Sequence, residues 1–171
     1  MPELPRFSDP VLVLDAFDRN TRVNAATIAD LSDELLGYSD DPGGYLIGQH
    51  LADMLDLREG KLAQVAPEHA SPLESATQAD RPTWLRATTV AEVARDFARW
   101  DAALRAAVVS FVADQRGFEP IYRSHPAALL LHCIVHDAHH RGQIAALVRR
   151  SGESEKRRST LEDRTWSIWR S

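Results

Sequence analysis

Residues 132–144 read H-C-I-V-H-D-A-H-H-R-G-Q-I, and they place four of the chain's seven histidines on nine consecutive positions. Ser124 and Pro126 precede the stretch, while Arg149, Arg150 and Gly152 follow it. A proline in the first turn, cations in the last turn and a glycine just beyond mark a helix with both ends specified. The stretch therefore predicts a helix from Ser124–Pro126 to about Arg150. Its first half is apolar almost all round, which predicts the most buried element of the fold.

Working outward, three more long helices emerge from apolar residues recurring at helical spacing. From Asp9 to about Leu35 the repeat is Leu14, Phe17, Ala25, Ile28, Leu31 and Leu35, with Asp9-Pro10 as N-cap and first-turn proline. A break near Asp30 is left open. Gly37 to Gly44, G-Y-S-D-D-P-G-G, gathers turn residues that oppose a helix. A second helix starts near Tyr45, carries Leu46, Ile47, Leu51, Met54, Leu55 and Leu57, and fades by about Val65. Residues 66–88 hold three prolines and read as the longest connection. Thr89 and Glu92 form a capping box for a third helix through Val93, Phe97, Trp100, Leu104, Val108 and Phe111, and Gly117 is expected as its left-handed terminator. In the charged tail, Trp166 and Trp169 are spaced to dock as a short C-terminal helix, with a frayed end as the alternative. No strand-like alternation interrupts the pattern. An all-α four-helix bundle follows, with residues 1–171 as a single domain.

Bulk properties narrow the partners. With 171 residues, 44% hydrophobic and 26% charged, the chain has the composition of a folded globular domain. A net charge of -5 and a pI near 5.8 supply no basic field for a phosphate backbone, so nucleic acid is not an expected partner. No apolar run long enough to span a bilayer and no signal-type N-terminus is evident, and the one cysteine, Cys133, has no internal partner. A cytoplasmic protein without membrane contact is the expectation.

The histidines carry the chemistry. On an ideal helix His136 and His140 lie roughly 40° apart and one turn apart in height, so their rings can converge on one ion. Leu129, Gln143 and Leu147 share their meridian, which sets the pair in an inward stripe. His50 is likewise the polar member of a stripe made by Ile47, Met54 and Leu57 on the second helix. Singly, an inward histidine reads as a core residue satisfied by a hydrogen bond. Three together gain more from an ion, because a buried ring nitrogen without a partner costs free energy. Three neutral ligands leave a divalent ion its full charge and an open position, as in catalytic sites, where a bound water or thiol loses its proton near neutral pH. Imidazole suits several metals, with zinc or nickel expected for this set.

The neighbours read less sharply. His132 is the main rival to His140 as ligand or stands behind the ligands with Gln143. Gln143 reads equally as a polar rim residue, and His139 as a solvated flank. Asp137 and Arg141 project roughly 100° and 140° from His136 and are expected to face solvent or a partner chain. Cys133 reads as a small buried hydrophobe without chemistry.

His136 to Gly152, H-D-A-H-H-R-G-Q-I-A-A-L-V-R-R-S-G, together with I-G-Q-H-L-A-D around His50, resembles the DinB/YfiT-like superfamily. The resemblance covers the whole chain and is most specific at H-H-R-G-Q-I. It implies a four-helix bundle of down-down-up-up kind and a metal site whose ligands match His50, His136 and His140. It further implies a homodimer, with the first and third helices as the expected contact. Members with assigned activity include S-transferases that use a low-molecular-weight thiol, bacillithiol or mycothiol, and a mycothiol-dependent maleylpyruvate isomerase. The resemblance thus implies a metal-dependent transfer of a small-molecule thiol to an electrophile. The competing reading is a non-catalytic metal-binding stress-response protein. A third is an interaction bundle whose histidines are core residues without metal.

Overall fold

The computed structural model describes residues 7–74, 89–152 and 155–170, the side chains of 74 and 155–162 excepted. Among them stand seven α-helices: α1 Val11–Ala29, α2 Asp33–Leu36, α3 Ile47–Val65, α4 Pro67–Glu74, α5 Val90–Ala113, α6 Ala128–Arg150 and α7 Glu155–Arg170. The four long helices α1, α3, α5 and α6 form the bundle. Each of α1 and α3 packs against both α5 and α6, and α7 lies along α1. No strand occurs among the described residues, and none of their helices is long and apolar enough to cross a membrane.

Contacts between side chains fix the direction of each helix. Asp18 meets Arg105 and Thr21 meets Asp101, so α1 and α5 are antiparallel. The Ser8 carbonyl oxygen meets the His125 ring just ahead of the two helices, and Asn20 and Asn24 meet Asp137, so α1 and α6 are parallel. His50 meets His140 and Arg58 meets Asp137, so α3 runs against α6. Two helices therefore run each way, the first parallel to the fourth and the second to the third, which corrects the down-down-up-up order implied by the resemblance to down-up-up-down.

Helix ends follow local chemistry. Thr89 accepts a hydrogen bond from the Glu92 N–H at 3.2 Å, as the capping box requires. The Asp9 carboxylate accepts from the Val11 N–H at 3.1 Å, although Pro10 and not Asp9 stands at the cap position. The first helical pattern breaks at Asp30, and α2 continues it for one turn. Gly152 takes the left-handed conformation expected of it, with φ 85°. At the end of α5 that role falls to Gln115, φ 53°, and not to Gly117. The Arg116 N–H reaches back to the Phe111 carbonyl at 2.8 Å, closing the turn two residues earlier than the glycine suggested. The Gln115 side chain accepts from the Phe7 N–H and donates to the Val112 carbonyl, which holds this unusual backbone in place. The connection expected over 66–88 begins with α4, opened by Pro67, and 75–88 lies outside the described residues.

A buried polar network crosses the middle of the apolar core. Arg58 of α3, with no exposed surface, donates to Asp101 of α5 at 2.7 Å and to both oxygens of Asp137 of α6 at 2.8 and 2.7 Å. Asn20 and Asn24 of α1 add amide donors to Asp137 at 2.6 and 2.7 Å, and Arg141 donates in turn to their carbonyl oxygens. Burial pushes the Asp137 carboxyl up, but Arg58 and the two amides outweigh it and hold the group below its ordinary range. Asp137 and Arg141 thus face α1 and the core, which corrects their assignment to solvent or a partner chain. The angles were measured from the histidine stripe, but α6 has a neighbour on that second side too. The exposed side of α6 is instead the one that carries Leu131 and Val135, 47% and 70% exposed, so its apolar first half is not wholly buried.

Candidate metal centre

His50 enters the core from the first turns of α3. Gly48, two residues earlier, sets that entry, because a Cβ there would stand 2.9 Å from the Leu36 carbonyl oxygen of α2. His136 and His140 come from α6, one turn apart, and Asp137 between them is locked into the polar network.

The three histidines singled out in the sequence are brought together. His50 Nδ1 lies 3.0 Å from His140 Nδ1, and His140 Nε2 lies 3.3 Å from His136 Nε2. His50 and His140 are 9% and 7% exposed, and His136 is half-buried with a buried Nδ1 that has no hydrogen-bond partner. The rings form a chain and not a closed ring of donors, since His140 spends one nitrogen on each neighbour. Among the described residues no three such donors already surround one point. The donor set nonetheless fits a divalent transition metal: three imidazoles from two helices, in nitrogen contact, one holding an orphaned buried nitrogen. Turning the His140 ring about its soft outer torsion is the adjustment an ion would ask for.

Electrostatics keep the lone pairs available. Burial lowers the pKa of all three rings. Neighbouring imidazoles add to this, His140 acting on both His50 and His136. Because the unfolded histidines titrate near pH ~6.5, the unfolded chain gains protons first as the medium is acidified. The metal-free fold should therefore lose stability as pH falls from about 7.5 towards 5. Thermal midpoints across that range should drop more steeply in wild type than in His140→Gln; parallel curves would contradict a lowered pKa at the His140 ring.

The flanking residues divide. His132 is exposed, its Nδ1 2.7 Å from the Tyr122 phenol and its ring edge-on to His136 with centroids 6.2 Å apart. His139, also exposed, stands edge-on to His140 at 5.3 Å. Gln143 is exposed, and nothing among the described residues draws it to the rings. Cys133 is fully buried and its thiol is pushed up to about 12 by that burial, so it is no nucleophile.

Two residues at the site escaped the sequence reading. Asp53, three positions after His50 on α3, acts electrostatically on both His50 and His140 and opposes the lowering of their pKa. The Tyr45 phenol donates to Asp53 Oδ2 at 2.5 Å, and its ring stands edge-on to His50 at 4.8 Å. The i, i+3 spacing of His50 and Asp53 was the available signal.

Comparison with known proteins agrees with this geometry at the level of fold. The model of the DinB family matches residues 7–170. Among solved structures, a DinB-like protein from Bacillus cereus ATCC 10987 is similar, with a TM-score of 0.56 and 20% identity over 83% of this chain and 92% of that one. No curated protein matches the sequence.

Proposed function

The chain belongs to the DinB family, and from that premise we propose that His50, His136 and His140 hold one divalent metal ion, zinc or nickel, at which a low-molecular-weight thiol attacks a small electrophile. The observation that carries this reading is the convergence of three imidazoles, those of His50 and His140 buried and that of His136 half-buried with an orphaned nitrogen. When bound, such an ion supplies the Lewis acidity that keeps a thiol deprotonated near neutral pH.

The chain's own residues have narrower tasks. The two α6 ligands are held in register by Asp137, which Arg58 and the α1 amides clamp from behind. The ligand face lies beside exposed His132 and His139, which supports access from solvent. Since Cys133 is buried and protonated, the nucleophilic sulfur comes from outside. It forms the new S–C bond with its lone pair, its proton passes to solvent, and the leaving group departs with its bonding electrons. Exposed Val11 and Leu12 on α1 and Val109 on α5 support self-association through those helices.

The experiment is a titration of cobalt-loaded protein with 2-mercaptoethanol, followed by an assay with the thiol and 1-chloro-2,4-dinitrobenzene. A thiol-induced change in cobalt absorption and metal-dependent loss of chloride are expected. The low exposure of His50 and His140 favours one alternative, an ion held for stability in a non-catalytic stress protein. A cobalt spectrum indifferent to thiols would select it.

A further inference from the structure

We propose that the thiol taken by this site carries an ammonium group, held by Asp53 beside Tyr45 while the sulfur meets the histidine cluster; this rests on the thiol-transfer reading above. The formal charges acting on the three rings are Asp53, Asp137 and Arg58. Asp137 and Asp101 are answered by Arg58, which ion-pairs with both, and by Arg141, which acts on Asp137. Asp53 is different. Its bonded partner is a neutral phenol on Oδ2, and among the described residues it forms no ion pair. Among the described residues the cluster therefore carries one uncompensated negative charge, on a half-buried carboxylate whose hydrogen bond there is through Oδ2. Tyr45, 47% exposed, adds an aromatic ring beside it, a second feature that suits a cation. His50 and Asp53 differ by about 4.5 Å along the helix axis, a separation that a two-carbon aminothiol can bridge. A carboxylate-bearing thiol would meet like charge at the same place.

The test uses cobalt-loaded full-length protein and three thiols that share a two-methylene spacer between sulfur and polar group: cysteamine, 2-mercaptoethanol and 3-mercaptopropionate. Affinity is read from the thiol-induced change in cobalt absorption. Cysteamine should bind about three- to fivefold more tightly than 2-mercaptoethanol, the range set by a partly exposed ion pair, and 3-mercaptopropionate should bind most weakly. The order should compress in high salt. Asp53→Asn should abolish the preference with metal content unchanged, whereas Tyr45→Phe, which keeps the charge, should retain it. Equal affinities in wild type, or a preference that survives Asp53→Asn, would overturn the proposal and leave thiol transfer standing. No response to any of the three thiols would remove both.

Discussion

Arg58→Met is expected to lower folding stability by about 3–5 kcal/mol, equivalent to about 6–20 °C in thermal midpoint for a chain of this size. The methionine is of similar length and suits the Phe97 ring that the Arg58 side chain lies against, so packing is not the cause. The cause is charge. Without the guanidinium, Asp101 and Asp137 remain 4% and 0% exposed, with no cation on the first and only α1 amides, themselves facing Arg141, on the second. A buried carboxylate stripped of its partner costs far more than the intact pair contributes, because the pair's attraction largely offsets its own desolvation. Asp137→Asn should cost less than Arg58→Met, since an amide is neutral and still accepts one donor. Urea denaturation of both variants checks this. A loss under about 1 kcal/mol for Arg58→Met would mean that the network is wet and not the centre of the core.

His140→Ala is expected to weaken metal binding by more than about a hundredfold, beyond the 10–100-fold that loss of an outer-shell partner gives. His140 is the central link, since its two nitrogens face both other rings, and its removal leaves His50 and His136 without contact to each other. His132→Ala and His139→Ala should each change affinity by less than about tenfold. His132 has its Nδ1 turned to Tyr122, and His139 offers an edge to His140 from the exposed side of α6. Competition with a chromogenic chelator separates these outcomes. A loss for His132→Ala as large as for His140→Ala would restore His132 as the ligand.

The contrast between the arginine network and the histidine cluster marks what was legible in the sequence. Periodicity located the four bundle helices, because each buries one continuous stripe against its neighbours, and it put His50, His136 and His140 on inward stripes. The histidines were visible because imidazoles stand out from an apolar row. Arg58 and Asp101 interrupt such rows equally, Arg58 after Leu51 and Met54, and Asp101 beside Phe97, Trp100 and Leu104, yet their pairing needs three helices at once. Asp137 was misread for the same reason: a projection from one helix shows angles, not which angles a neighbour covers. The end of α5 shows a different limit. Gly117 is the cheaper left-handed residue, but Gln115 takes that conformation because its side chain ties the turn to Phe7. That bond spans 108 positions, beyond any local rule.

Metal stoichiometry decides whether three histidines from two helices hold an ion. Untagged wild-type protein, stripped with chelator and reconstituted separately with zinc and nickel, would be desalted and analysed by inductively coupled plasma mass spectrometry. About one tightly held ion per chain is expected, as for a single three-ligand site, together with its loss in His140→Ala. Wild-type protein that is folded yet retains neither metal would contradict it, leaving His50, His136 and His140 as a buried hydrogen-bonded chain within a helical bundle.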